Sequence, residues 1–183
     1  MTDSNFDIPV NHGSNEAGTP NVTLTWTDDR ATPGDSAWDQ YGGWPGDGGD
    51  GVYQLDNESD YSITHSIVFD PDNGFNVVIN SFDLNVWAGG GATDVTWSVV
   101  GTSSGSLGGG VFNLADDSVT TQNLNIAGVS SETLTISFQQ TSGESSYLAL
   151  DNLTFDQTAV PEPGTAVMAL GGLGALAMRR KRK

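Results

Sequence analysis

Short segments in which apolar and polar residues alternate recur between residues 22 and 155 and predict β-strands. Apolar side chains take every second position in Val22–Thr27 and again from Tyr61 to Phe69, the period expected of a strand with one buried face. Further segments of this kind are 51–55, 82–87, 95–99, 111–114, 124–126 and 134–138. Helical periodicity is not convincing anywhere before residue 165, so the pattern predicts an all-β fold.

The last predicted strand, Tyr147–Phe155, indicates how the strands are arranged. It is apolar on both faces at Leu148–Leu150, which is typical of a central strand covered on both sides. Eight to ten short strands separated by turn residues predict an antiparallel β-sandwich, with a jelly roll as the topology, for a domain of residues 1–158. Asp70–Gly74 is predicted to be a hairpin turn, which needs no bound ion.

The segment after residue 158 differs from the rest of the chain. Pro161 and Pro163 break any preceding element, and an uncharged run, residues 165–178, follows and predicts a hydrophobic helix. These 14 residues would span about 21 Å as a helix, against the ~30 Å core of a bilayer. Five adjacent cations, residues 179–183, would remain on the cytoplasmic side and place the domain across the membrane.

This ending resembles the PEP-CTERM sorting signals of exported bacterial proteins. The resemblance rests on the order of three features at the chain terminus: a Pro-Glu-Pro motif, an apolar run and a basic end. The motif residues are Val160, Pro161, Glu162, Pro163 and Gly164. The resemblance implies cleavage near the motif by an exosortase, a membrane protease-transpeptidase. It also implies delivery to the surface or extracellular polymer of a Gram-negative-type bacterium.

An exported protein needs a secretory signal peptide, and residues 1–7 do not resemble one. They contain neither a basic region nor an apolar stretch. We therefore expect the natural chain to begin further upstream.

Charge is distributed very unevenly along the chain. Residues 1–158 contain 22 acids against a single cation, Arg30, a charge near −21. Such a charge repels phosphates and excludes nucleic acid as a partner. It favours bound cations or a salty environment, although a merely soluble acidic surface explains it equally well. The chain has no cysteine, so neither disulfides nor thiolate metal sites are available.

One acidic residue, Asp151, has a sequence position that predicts burial. Strand alternation groups it with Ala149, Leu153 and Phe155, the side expected to face the core. A buried carboxylate needs a proton, a hydrogen-bond donor, a cation or a metal. Arg30 is the only cation of the domain that could pair with it. The sequence otherwise predicts structural calcium, held by Asp151 with Asp7 and Glu16, or else a carboxylate satisfied by backbone amides. The residues around Asp151 also resemble the last strand of extracellular carbohydrate-binding jelly rolls, and this resemblance implies a calcium role.

Aromatic residues in the long loop of residues 28–60 are candidates for ligand binding. Three of them occur at intervals of three among Gly, Pro and Asp: Trp38, Tyr41 and Trp44. A further candidate is Trp87, which shares a predicted outward-facing strand side with Asp83 and Asn85. Flat rings on a loop can stack on sugars while neighbouring polar groups bind the hydroxyls. The alternative is that these rings form a small core of the loop itself.

The sequence carries no nucleophile triad, zinc cluster or phosphate loop. The prediction is therefore a non-enzymatic protein of the cell surface or extracellular matrix, structural or glycan-binding. The alternative is a small glycan-active hydrolase or lyase with paired carboxylates, whose separation the sequence does not reveal.

Overall fold

The computed structural model describes residues 12–29, 38–41, 52–55, 63–89, 91–142 and 148–161. These residues form ten strands and contain no helix, which confirms the all-β prediction for this part of the chain. The strands are β1 Val22–Asp28, β2 Trp38–Tyr41, β3 Val52–Leu55, β4 His65–Pro71, β5 Phe75–Val86, β6 Thr93–Gly101, β7 Gly105–Leu114, β8 Ser118–Ala127, β9 Leu134–Gln140 and β10 Leu148–Ala159.

The strands build two five-stranded antiparallel sheets with jelly-roll connectivity. The orders are β1-β4-β9-β6-β7 in the first sheet and β2-β3-β10-β5-β8 in the second. From β3 onwards the pairs are nested, because β3 pairs with β10, β4 with β9, β5 with β8 and β6 with β7. This is one long hairpin rolled up so that its pairs alternate between sheets, which confirms the predicted jelly roll. As predicted, β10 is a central strand.

Apolar side chains from the inner faces of both sheets meet in one core. Phe82 of the second sheet lies edge-on to Phe138 of the first, with 5.2 Å between ring centroids, and Phe69 and Phe155 are also 5.2 Å apart. Such edge-to-face pairs suit the charge distribution of aromatic rings. The alternation that predicted the strands therefore also supplies the core, since every second residue of β4 and β9 is buried.

The predicted turn at Asp70–Gly74 is present, but it is not a hairpin. It joins β4 of the first sheet to β5 of the second. The turn is closed by a hydrogen bond from the Phe75 amide to the Asp72 carbonyl, and Gly74 has φ 89°. Because a local turn sequence does not show which sheet the next strand joins, the hairpin prediction was wrong.

The neighbouring connections at the same end of the fold are held by Glu132, which is buried in the turn between β8 and β9. Its carboxylate accepts hydrogen bonds from the amides of Ser103, Ser104 and Val129 and from the Ser104 hydroxyl. Burial raises its pKa, but the hydrogen bonds from the Ser104 side chain and the three amides outweigh this, and the pKa falls to about 2. The ionised carboxylate thereby ties the β6–β7 turn to the β8–β9 turn.

The sheet continues to the end of the described chain. β10 pairs with β5 as far as Ala159, which lies opposite Phe75, and the Val160 amide donates to the Gly74 carbonyl at 2.8 Å. The folded unit thus extends slightly beyond the predicted boundary at residue 158. No described segment is a helix long and apolar enough to cross a membrane. The predicted helix, residues 165–178, lies outside the described residues.

Candidate functional site

Trp38, a predicted ligand-binding residue, belongs to the core. Its side chain is fully buried, and its ring lies edge-on to those of Trp26, His65 and Phe138 at centroid distances of 5.1, 5.4 and 6.4 Å. The prediction that it stacks on a ligand was therefore wrong. The physical reason is that residues 38–41 form strand β2, which turns Trp38 between the sheets.

The other predicted aromatic residues have different outcomes. Tyr41 is the last residue of β2, where it pairs with Val52 through the backbone, but its side chain lies outside the described part of the structure. Trp44 lies entirely outside it. Trp87 follows β5 and is half-buried, so ligand contact there stays a prediction.

Asp151 is buried, as predicted, but on the opposite face of its sheet. Its neighbour Leu150 lies opposite Leu84 in the core, so Asp151, opposite Asp83, faces away from the other sheet. A bulge follows, with Asn152 at φ 48°, and it reverses the alternation so that Phe155 faces the core. The predicted grouping of Asp151 with Phe155 was therefore wrong, because strand parity holds only without a bulge.

Asn152 joins the two carboxylates on this outer face. Its side-chain amide lies 2.9 Å from Oδ2 of Asp83 and 3.5 Å from Oδ2 of Asp151, while its backbone amide donates to Oδ1 of Asp151 at 2.7 Å. Asp151 is only 5 % exposed, whereas Asp83 is partly accessible. The predicted alternative, satisfaction by backbone amides, accounts for one oxygen of Asp151.

The predicted calcium ligands do not form a cluster in the described chain. Those residues contain no group of three or more His, Cys, Asp or Glu side chains placed to hold a metal. Glu16 is exposed in the turn before β1, and Asp7 lies outside the described residues. The neighbour of Asp151 is Asp83, so any site there would use Asp83, Asp151 and the Asn152 carbonyl groups. Calcium binding stays a prediction.

The outer face of the first sheet carries hydroxyl and amide groups in a regular array. Ser137 on the middle strand lies opposite both Ser66 and Ser98, and Thr135 lies opposite Val68 and Val100. The polar residues of this surface, here called the hydroxyl face, are Thr25, Thr27, Ser66, Thr96, Ser98, Thr135, Ser137 and Gln139.

The chemistry of the hydroxyl face differs from that of the chain as a whole, whose net charge is −17. Within the five strands of this sheet, the carboxylates on this face are Asp70 at one end and Asp94 at the other. Each hydroxyl can both donate and accept a hydrogen bond, and those of Ser66 and Ser137 share one, with their Oγ atoms 2.8 Å apart. A flat, uncharged surface of such groups can hydrogen-bond the hydroxyls of a sugar chain.

This face was not predicted from the sequence, although a signal existed. In β9 the polar half of the alternation is Thr135, Ser137 and Gln139, and in β6 it includes Thr96 and Ser98. In so acidic a chain, solvent-facing strand positions that avoid Asp and Glu are informative. The alternation of apolar and polar residues predicted only which side of each strand is buried.

The solved structures similar to this chain are β-structured carbohydrate-binding modules and other proteins. A CBM4 structure has a TM-score of 0.45 at 16 % identity, covering 84 % of this chain and 96 % of that one. TmCBM61, in complex with β-1,4-galactotriose, has a TM-score of 0.45 at 11 % identity, covering 80 % and 94 %. CBM28, a module specific for non-crystalline cellulose, has a TM-score of 0.39 at 12 % identity, covering 82 % and 94 %. Likenesses this low assign neither a ligand nor an activity.

Comparison with curated proteins gives no significant match. The end of the chain does match a family model. Residues 159–183 match the PEP-CTERM protein-sorting motif, which confirms the predicted tail and indicates an exported protein with a C-terminal, membrane-anchoring sorting signal.

Proposed function

We propose that this protein is a non-enzymatic, glycan-binding component of the bacterial cell surface or extracellular matrix. The hydroxyl face carries this proposal, because it is an uncharged polar surface whose hydroxyl and amide groups offer donors and acceptors across four neighbouring strands. Neutral or weakly acidic polysaccharides are the matching ligands. Strongly anionic ones would be repelled by the carboxylates elsewhere.

Delivery to that location would depend on the sorting motif. We infer that an exosortase-type transpeptidase in the membrane recognises residues 160–164 while residues 165–178 lie in the bilayer and the basic end faces the cytoplasm. The cell would belong to the Gram-negative type. The sandwich would be folded on the outer side, with its last strand leading directly into the motif.

A glycan array followed by calorimetry tests the binding function. Thr135→Lys places a long cation on the middle strand of the hydroxyl face, whereas Thr158→Lys makes the same change on an exposed position of the second sheet. We expect the first substitution to weaken binding of the array's best oligosaccharide at least tenfold and the second to leave it unchanged. Equal effects, or no glycan bound by the wild type, would contradict the proposal.

A glycan hydrolase is the second candidate, and the Asp83–Asp151 pair is the observation that favours it. Each carboxylate has an oxygen within 3.5 Å of the same amide nitrogen, so the two groups are close neighbours, as are the carboxyl pairs of retaining glycosidases at ~5–5.5 Å. The burial of Asp151 argues against direct contact with a substrate. Release of reducing ends from the bound polysaccharide, abolished by Asp83→Asn, would establish the enzyme and overturn the non-enzymatic assignment.

A further inference from the structure

One side of the sandwich is formed by two neighbouring edge strands. β7 is the last strand of the first sheet, and β8 is the last strand of the second. They face each other closely, because a Cβ added to Gly108 would lie 2.9 Å from Cδ1 of Ile126. Among the described residues, neither strand has a ladder partner on its outer side, so this side presents two parallel rows of backbone donors and acceptors.

Three of the usual protections against edge pairing are missing from these two strands. Natural edge strands are blunted by charged residues, proline or short length. Here each strand is ten residues long, and neither contains a charged residue or a proline. Between Asp94 and Glu132 the only acids are Asp116 and Asp117, both in the three-residue connection of β7 and β8.

Bulges leave flat stretches of both edges at the same end of the sandwich. The register of β6 with β7 shifts next to Leu107, and β8 is bent at Asn125, which has φ 52°. The regular segments that remain are residues 108–114, which end just before the connection of residues 115–117, and residues 118–123, which begin just after it. Val111 and Val119, on these segments, are 55 % and 40 % exposed and are two of the four exposed large apolar side chains among the described residues.

We propose that this side binds a second copy of the same chain. A two-fold axis perpendicular to the sheets would pair β7 with β7 and β8 with β8, both antiparallel, and so join the two five-stranded sheets of each copy into continuous ten-stranded ones. Because the regular segments of β7 and β8 lie at the same position along the strand direction, a single two-fold axis can generate both the β7–β7 and the β8–β8 pair.

Charge favours a second copy at this side over any other approach. Residues 1–158 carry 22 acids and one arginine, so two copies repel wherever their acidic surfaces meet. The β7–β8 side is neutral along both strands, and there the repulsion is least. The exposed Val111 would then be buried beside its symmetry mate.

The absence of cysteine in the chain permits a direct geometric test on the full-length protein in mild detergent. Residues directly opposite in an antiparallel pair have Cβ atoms about 4.5–5.5 Å apart, close enough for a disulfide after small adjustment. Val111→Cys should therefore form a covalent dimer on mild oxidation. Thr23→Cys, an exposed position on the other edge of the same sheet, should not.

Sedimentation gives the second readout. Val111→Glu should raise the dimer dissociation constant at least tenfold, because it places like charges opposite each other, whereas Thr23→Glu adds the same charge and should leave the constant unchanged. A wild type that is monomeric at all concentrations would overturn the proposal. So would cross-linking through Thr23→Cys, or a dimer that survives Val111→Glu and is held by the C-terminal tail.

Discussion

At the scale of single residues, several carboxylates of the described chain accept hydrogen bonds from neutral donors. The described residues include no Lys or Arg, and neutral donors bind the acids instead. The Asp116 carboxylate accepts hydrogen bonds from the backbone amides of Gly89 and Gly91. The Asp29 carboxylate accepts one from the backbone amide of Thr64. Side chains provide the donors for others: Asn80 for Asp156, Asn113 for Asp94 and Thr133 for Asp70. Such bonds organise loops while leaving the net charge uncompensated.

Glu132 is the strongest instance and gives a prediction about stability and pH. Its pKa is lowered from 4.5 to about 2 in the folded protein, so its ionised form stabilises the fold above pH 4.5, and this stabilisation is lost as the pH falls towards 2. The shift corresponds to about 3 kcal/mol. We expect Glu132→Gln to lower the free energy of unfolding by that order at pH 7, measured in urea.

The difference between Glu132→Gln and wild type should shrink between pH 4.5 and pH 2, because the wild type then loses the same interaction. The repulsion among the other acids is common to both proteins, so it cancels in the difference between their free energies of unfolding. Glu16→Gln, an exposed control, should change stability by less than about 0.5 kcal/mol. A pH-independent difference would mean that Glu132 acts through packing alone.

Gly101 provides a related prediction, because the Glu132 carboxylate occupies the space of a side chain at that position. An added Cβ would lie 2.7 Å from Cδ of Glu132, although the backbone of Gly101 is compatible with alanine. We expect Gly101→Ala to destabilise the protein by about 1–3 kcal/mol. In a Glu132→Ala background the penalty should largely disappear. Additive effects in this double-mutant cycle would contradict the packing argument.

At the scale of strands, alternation predicted most of the elements but not their irregularities. The apolar Leu148–Leu150 correctly indicated that β10 is central. The short β2 was missed, because four residues, Trp38–Tyr41, are too few to show a period. The bulge at Asn152 was also not predicted, because the apolar and polar pattern of residues 147–155 is equally compatible with an unbroken strand. Its consequence was large, because it moved Asp151 to the other face.

The end of β10 sets the limit of the folded domain and gives a prediction for truncation. Pairing reaches Ala159, Val160 bonds to Gly74, and the side chain of Gln157 accepts the Asn21 amide at 3.0 Å. A chain ending at Pro161 should therefore melt within a few degrees of the full-length protein. A chain ending at Asp156 loses these contacts, and we expect its melting temperature to fall clearly. Equal melting of both truncated chains would show that the strand end contributes nothing.

At the scale of the whole molecule, charge is segregated from the surfaces to which we assign functions. The residues that define the hydroxyl face and the strands β7 and β8 carry no charge, whereas residues 28–60 hold nine of the acids. A two-fold axis perpendicular to the sheets would place two hydroxyl faces side by side on the same surface. A polysaccharide could then bind both copies, and we expect avidity beyond the affinity of one face.

The remaining prediction concerns calcium, since a domain with a charge near −21 should respond to cations. Specific binding differs from screening, so the comparison is calcium against sodium at equal ionic strength. A calcium ion bound only by the folded form at a hundredfold excess over its dissociation constant adds ~2.7 kcal/mol. Asp151 is the favoured ligand, because it is a buried carboxylate whose strand position lies opposite a second carboxylate, Asp83.

Thermal melts of three proteins test this calcium site. Calcium should raise the melting temperature of the wild type and of Asp156→Asn, an exposed control on the same strand, but not that of Asp151→Asn. Equal rises in all three would mean that Asp151 is not a ligand and that calcium binds elsewhere. If none rises above its sodium control, the domain has no calcium site.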